Sequence, residues 1–233
     1  MSDKRQALNS SLITHHSSLL LLSMLRLDLP KIYPITDARL SGLSHAEQVS
    51  RLGLGGAELV QLREKHLSPR DFYVEAEAAL RVARECGVRL IINDRVDIAL
   101  ALSADGVHLG QDDLAPEAAR RLLGGRAVIG FSTHNLEQAR AAAGLPVDYI
   151  AIGPIFATSS KENPDPPVGL DELARVREAV GPVPLVAIGG INVENARACL
   201  AAGADSVAVI GMLLSEPAEI AERTRRMLIS LRD

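Results

Sequence analysis

Residues Leu90 to Asp113 read LIINDRVDIALALSADGVHLGQDD. The apolar run Leu90-Ile91-Ile92 stops at Asn93-Asp94, a helical stretch follows from Val96 to Ser103, and a second short strand, Val107 to Leu109, stops at Gly110-Gln111-Asp112-Asp113. Parallel strands joined by a crossover helix end on the same side of their sheet, so the pattern places Asp94 and Asp113 together at one rim. That rim is where α/β proteins carry their chemistry. Two neighbouring carboxylates without an obvious cationic partner repel, and a hard cation such as Mg²⁺ relieves the repulsion by taking oxygen ligands from both. The spacing is equally well served if each aspartate caps the helix that follows it.

Outward from this stretch the same unit recurs: a short aliphatic run, a Gly-rich or polar break, then an Ala/Leu/Arg-rich helix. Strands are predicted at 31–36, 58–63, 89–93, 106–109, 127–132, 149–152, 185–188 and 206–210, and helices near 44–54, 69–86, 96–103, 116–123, 136–143, 170–180, 193–202 and 218–231. Strict alternation implies a parallel sheet. An open doubly wound sheet would carry a Gly-rich dinucleotide loop after its first strand, but Thr36-Asp37-Ala38-Arg39 stands there. Eight repeats in 233 residues therefore predict one (β/α)₈ TIM barrel over residues 29–233.

Composition narrows the function classes. A hydrophobic share of 47% supplies a core, and 25 basic against 29 acidic residues, with no long basic run, argues against nucleic acid as a partner. Cys86 and Cys199, both within predicted helices, offer neither a disulfide framework nor a metal cluster; they read as two buried thiols in a cytoplasmic protein. Residues 1–28 show no strand or helix period, and their apolar run, Leu19 to Leu22, is too short for a signal peptide or a membrane span. A disordered extension is expected there, with Met24 as a second candidate start and His15-His16 without a third ligand at useful spacing. The oligomeric state, a homo-oligomer included, is left open.

The residues after each predicted strand are polar. In Gln61-Leu62-Arg63-Glu64-Lys65, alternation sends Gln61, Arg63 and Lys65 to one side. At a barrel mouth this offers a guanidinium fork and an ammonium for phosphate; the alternative is a solvated charged loop. Ser132-Thr133-His134 follows the fifth strand, and His134 is a candidate acid or base or else a helix-start residue. The long loop from Gly153 to Gly169 carries Thr158-Ser159-Ser160-Lys161, which suits an anion-binding lid. Gly189-Gly190 and Gly211 end the last two strands, where such barrels often hold phosphate on backbone N–H groups.

The motifs YPITD (33–37), QLREK (61–65), IINDRVDIAL (91–100), ADGVHLGQDD (104–113), IGFSTH (129–134), YIAIGPIFATSSK (149–161), VAIGGI (186–191) and GADSVAVIG (203–211) together resemble the thiamine phosphate synthases. That family uses a (β/α)₈ barrel and Mg²⁺ to join hydroxymethylpyrimidine diphosphate to a thiazole phosphate, releasing pyrophosphate. The resemblance implies that Gln61, Leu62, Arg63, Glu64, Lys65, Asn93, Ser132 and Lys161 bind the pyrimidine diphosphate, with Arg63, Lys65, Ser132 and Lys161 carrying the chemistry. It places Thr158, Ser159, Ser160, Gly190, Ile210 and Gly211 at the thiazole phosphate, and Mg²⁺ on Asp94 and Asp113. Three positions depart from the family pattern: Ala157 where Pro is usual, Ser160 where Thr is common, and Gly211 where the eighth strand usually ends in Ser. Two competing readings are a thiazole tautomerase-like relative, which tends to lose the acidic pair, and a non-catalytic phosphate-binding barrel.

Overall fold

The computed structural model describes residues 28–158 and 166–232. Met1 to Leu27, with the His15-His16 pair and the expected extension, lie outside the described residues, as do 159–165. The strands are β1 Ile32–Pro34, β2 Leu59–Leu62, β3 Arg89–Asn93, β4 Gly106–Leu109, β5 Val128–Thr133, β6 Tyr149–Ile152, β7 Leu185–Ile188 and β8 Ser206–Val209. The main helices are α1 His45–Leu54, α2 Pro69–Cys86, α3 Val96–Leu102, α4 Pro116–Leu123, α5 Leu136–Ala142, α6 Gly169–Val180, α7 Ala196–Ala201 and α8 Ile220–Ser230. All strand pairs are parallel, in the order β1-β8-β7-β6-β5-β4-β3-β2. A single parallel bridge, Ile35 to Gln61, joins the two ends, with the Thr36 N–H donating to the Gln61 carbonyl at 2.9 Å. The predicted barrel is therefore closed.

Local chemistry sets the helix boundaries. Ser44 and Glu47 form a reciprocal capping box at α1, Ser68 caps α2 ahead of Pro69, and Gly87 ends α2 in the left-handed conformation. Helix α7 begins three residues later than the sequence suggests, because the Asn192 side chain accepts from the N–H groups of Glu194 and Asn195 and holds that segment in a turn. A short helical turn, Gly211–Leu214, and a 3₁₀ turn, Pro217–Glu219, precede α8; four residues are too few to show a period.

Strand alternation divides the core in two. Leu90 and Ile92 of β3 face the helices, whereas Ile91 faces the barrel interior with Tyr33, Ile35, Leu59, Tyr149, Val186 and Ala208. Leu29 packs against this inner cluster, and the Asp28 carbonyl accepts from Arg89 at 3.1 Å. Cys199 is buried as expected; Cys86, at the last position of α2, is exposed, which corrects the expectation of two buried thiols.

The interior is more polar than aliphatic packing alone would make it. Gln61 Nε2 reaches the Tyr33 hydroxyl at 3.3 Å, Tyr33 reaches the Tyr149 hydroxyl at 2.9 Å, Tyr149 reaches His108 Nδ1 at 2.9 Å, and His108 Nε2 reaches Ser132 Oγ at 2.8 Å. The His108 and Tyr149 rings stack with centroids 5.5 Å apart. Gly130 makes room for them: a Cβ there would lie 2.0 Å from Tyr149 Cζ and 2.5 Å from His108 Nδ1.

Two measurements test this packing. Gly130→Ala should lower stability by about 1–3 kcal/mol, the usual cost of overfilling a packed interior, read by denaturant titration; an unchanged midpoint would show that the rings move aside freely. Burial holds the His108 imidazole down at about 4, with Asp113 drawing it up and Lys65 pushing it down. An unfolded imidazole titrates near about 6.5, so in between the unfolded chain binds the proton more readily. Its contribution to stability is full above about pH 6.5 and is lost as pH falls through about 4, so Tm should fall over that window. His108→Gln should flatten that part of the profile, and an unaltered slope would assign the loss to other groups.

Candidate active site

The carboxyl-terminal strand ends open into a cavity of about 810 Å³, a size that encloses a small molecule. Gln61, Arg63 and Lys65 all line it, as alternation predicts. The residues between them do not. Leu62 is fully buried in the layer between sheet and helices, and Glu64 turns to the outer side. Glu64 Oε2 lies 3.2 Å from His45 Nε2, whose Nδ1 lies 2.8 Å from Thr36 Oγ1. Its other oxygen accepts from the His66 N–H at 2.6 Å and the Leu67 N–H at 3.2 Å. Burial pushes the Glu64 carboxyl up, but these donors outweigh it and hold it below the usual range. The Leu62 and Glu64 side chains thus face away from the cavity that Gln61, Arg63 and Lys65 line. They brace the loop whose Arg63 N–H donates to Thr36 Oγ1 at 3.2 Å and whose Arg63 guanidinium lies 3.8 Å from Asp37.

Asp94 and Asp113 do meet at the rim, but they are not without a cation. The Lys65 ammonium donates to Asp94 Oδ2, an ion pair that sequence spacing conceals because it crosses between strand ends. Burial raises the Asp94 carboxyl above its ordinary range; Lys65 pulls it back and the adjacent Asp113 raises it further. Asp94 sits at φ 61, in the left-handed region that aspartate tolerates better than most residues, and its N–H donates to the His108 carbonyl at 2.8 Å. Asp113 accepts from the Gly110 N–H at 2.7 Å. Helices α3 and α4 start after Arg95 and Ala115 with no side-chain cap, so neither aspartate caps the helix that follows it.

Asn93, Ser132 and His134 also line the cavity. The Asn93 amide nitrogen is buried in the wall without a hydrogen-bond partner. The Ser132 carbonyl accepts from Gln111 Nε2 at 2.5 Å, and His134 Nδ1 donates to the Gly153 carbonyl at 2.8 Å. Across the ring, Thr158, Gly190, Ile210 and Gly211 complete the lining. Gly190, at φ 64, could not carry a Cβ, which would lie 2.4 Å from the Ala157 carbonyl oxygen. Gly211 opens the Gly211–Leu214 turn, whose first N–H groups have no partner within the turn. Ser159, Ser160 and Lys161 lie outside the described residues.

Sequence reasoning missed Tyr33, Gln111, Gln138 and His108 as lining residues. His108 could have been found, since it shares the inward side of β4 with Gly106 and a polar residue inside a four-residue apolar strand is a signal in itself.

A closed barrel with a cavity ringed by polar groups at the strand ends defines a (β/α)₈ enzyme that acts on small molecules at its carboxyl-terminal face. Comparison with known proteins makes the class particular: the chain belongs to the thiamine monophosphate synthase family, whose family model matches residues 32–213. It is 46% identical over 203 residues to the thiamine-phosphate synthase of Chloroflexus aurantiacus, covering 86% of this chain and 93% of that one. It is 48% identical over 211 residues to the thiamine-phosphate synthase of Koribacter versatilis, covering 88% and 98%. Among solved structures, a thiamine phosphate pyrophosphorylase from Pyrococcus furiosus superposes with a TM-score of 0.77 at 35% identity, covering 86% of this chain and 94% of that chain.

The glycine constraint is testable. Gly190→Ala should cost about 1–3 kcal/mol of backbone strain or displace residues 156–157, read as a lower Tm and weakened retention of substrate; a variant indistinguishable from the parent would show that the Ala157 carbonyl yields.

Proposed function

We propose that this chain condenses hydroxymethylpyrimidine diphosphate with a thiazole phosphate to give thiamine monophosphate and pyrophosphate, a carboxylated thiazole losing its carboxyl group as CO₂ as well. The observation that carries the reading is the division of one cavity into two sides, each with donors for an anion: Arg63 and Lys65, beside the carboxylates Asp94 and Asp113, in the loops after β2 to β4, and backbone N–H groups at Gly190 and Gly211 after β7 and β8. The C–O bond to the diphosphate breaks with its electron pair leaving on pyrophosphate, and the thiazole nitrogen lone pair forms the new C–N bond. Arg63 and Lys65 stabilise the charge that grows on the leaving group where water is largely displaced. Asn93 and Gln61 lie where a pyrimidine and its diphosphate can meet amide groups, and the unpartnered Asn93 nitrogen is a donor in want of an acceptor. The barrel mainly positions two substrates and needs no covalent nucleophile.

Asp94 and Asp113 fit Mg²⁺, a hard ion that commonly takes one or two carboxylates and completes its shell with phosphate oxygens and water. Among the described residues no group of three or more His, Cys, Asp or Glu could hold a metal by protein ligands alone, which matches an ion shared with the substrate. Bound there, Mg²⁺ would neutralise diphosphate charge. Lys65, now paired with Asp94, would be released toward the diphosphate. Lys161 is assigned to the same anion by the family resemblance, as are Ser159 and Ser160 to the thiazole phosphate. We place the enzyme in the cytoplasm: its thiols are free, and no described helix is long and apolar enough to cross a membrane.

Purified protein should release pyrophosphate only when both substrates and Mg²⁺ are present. A tautomerase-like relative or a non-catalytic barrel would release none. Asp94→Asn and Asp113→Asn should fold and yet turn over more slowly by orders of magnitude, with partial rescue by excess Mg²⁺; near-normal turnover at low Mg²⁺ would remove the metal assignment. Gly211 opens a helical turn and is not among the positive-φ glycines, so its backbone is one a Ser adopts readily. It should lower the thiazole-phosphate KM by a factor equivalent to about 0.5–1.5 kcal/mol, one net hydrogen bond, and a raised KM would show that the hydroxyl obstructs the site.

A further inference from the structure

The buried chain from Gln61 to Ser132 has a direction. The Gln61 amide nitrogen, facing the Tyr33 hydroxyl at 3.3 Å, can only donate. Tyr33 therefore accepts from it, and its single proton is free for the Tyr149 hydroxyl 2.9 Å away. Tyr149 in turn has one proton, and it falls to His108 Nδ1 at 2.9 Å. An imidazole that accepts at Nδ1 is neutral and carries its proton at Nε2, which points at Ser132 Oγ at 2.8 Å. Ser132 thus accepts within the wall, and its own proton has only the cavity side to go to.

We propose that Gln61, Tyr33, Tyr149 and His108 form a positioning relay that locks His108 as the Nε2–H tautomer and thereby turns the Ser132 hydroxyl proton into the cavity, as a donor to an anionic oxygen of the diphosphate. The assignment of that oxygen rests on the proposed function. The direction of the relay does not. Reversed, the relay would spend the Ser132 proton on His108 and present a lone pair to an anion, opposing the work of Arg63 and Lys65. Tyr149, which does not line the cavity, is then a positioning residue for a reaction it never touches.

The test uses the full-length, ligand-free protein with ¹⁵N-labelled imidazoles. Six histidines are present, and the His108 resonances are those lost in His108→Gln. The relay requires His108 Nδ1 to resonate as the unprotonated nitrogen and Nε2 as the protonated one. An Nδ1–H tautomer, with Gln61 presenting its carbonyl to Tyr33, or a charged ring would overturn it. Tyr149→Phe keeps the ring but removes the proton supplied to Nδ1; Nδ1–H should appear and kcat/KM should fall about tenfold, the scale of one misdirected hydrogen bond. The same change in a Ser132→Ala background should cost little more, because the group it orients is gone. An equal loss in both backgrounds would make Tyr149 a packing residue and overturn the relay. If Tyr149→Phe does not fold, the parent tautomer alone decides. Failure to release pyrophosphate together with an Nε2–H ring would overturn the role of Ser132 in the reaction and leave the relay direction standing. Normal turnover with an Nδ1–H ring would overturn the relay and leave the reaction standing.

Discussion

Polar groups inside a closed barrel cannot borrow hydrogen bonds from water, and this rule shapes both the interior and the site. Unpaired, each buried hydroxyl, amide or imidazole would cost free energy on the order of 1–3 kcal/mol. The chain answers by linking Gln61, Tyr33, Tyr149, His108 and Ser132 in one line, so that both tyrosine hydroxyls and both nitrogens of His108 are paired within protein. Gly130 is the space this arrangement needs. The price is a core whose polar members are interdependent. In exchange, the last hydroxyl is held at the cavity wall by a scaffold that does not depend on a loop.

The site proper follows from the common direction of the strands. Because all eight run parallel, their carboxyl ends and the loops behind them converge on one mouth, and charge collects there without any one segment being strongly charged. The cost of that crowding is visible at Asp94, where burial and Asp113 oppose ionisation and Lys65 favours it. The Glu64–His45–Thr36 contacts show the complementary device: behind the loop that carries Arg63 and Lys65, a buried ring and a well-bonded carboxylate hold the backbone from outside the cavity.

How much of this could be read in advance depended on the range of the interaction. Alternation within QLREK is local, and it sends Gln61, Arg63 and Lys65 to one side; the fold makes that the side that lines the cavity. The family resemblance treated those five residues as one contiguous set, and only the pleat separates Leu62 and Glu64 from the rest. The eight strands were legible because each is a short apolar run flanked by breaks. The Lys65–Asp94 pair was not, since its partners lie 29 residues apart and meet only after β2 and β3 pair. The relay was less accessible still. His108 and Tyr149 are 41 residues apart, Tyr33 and Tyr149 are 116 apart, and no periodicity links them. The Gly211–Leu214 turn escaped for the opposite reason: it is too short to carry any pattern.

Closure of the barrel depends on one bridge between β1 and β2, and the residue on the β2 side of that bridge is Gln61. Gln61 also heads the buried chain and lines the cavity. The seam and the site therefore share a hinge pin. A fluctuation that parts β1 from β2 withdraws Gln61 from Tyr33 and loosens the cavity wall as far as Ser132, while the other strand pairs stay zipped. On warming, such a molecule should fall silent before it melts: activity is expected to fade while the helices are still formed, and the amide of Thr36, bonded across the seam, to exchange with solvent ahead of those inside the sheet.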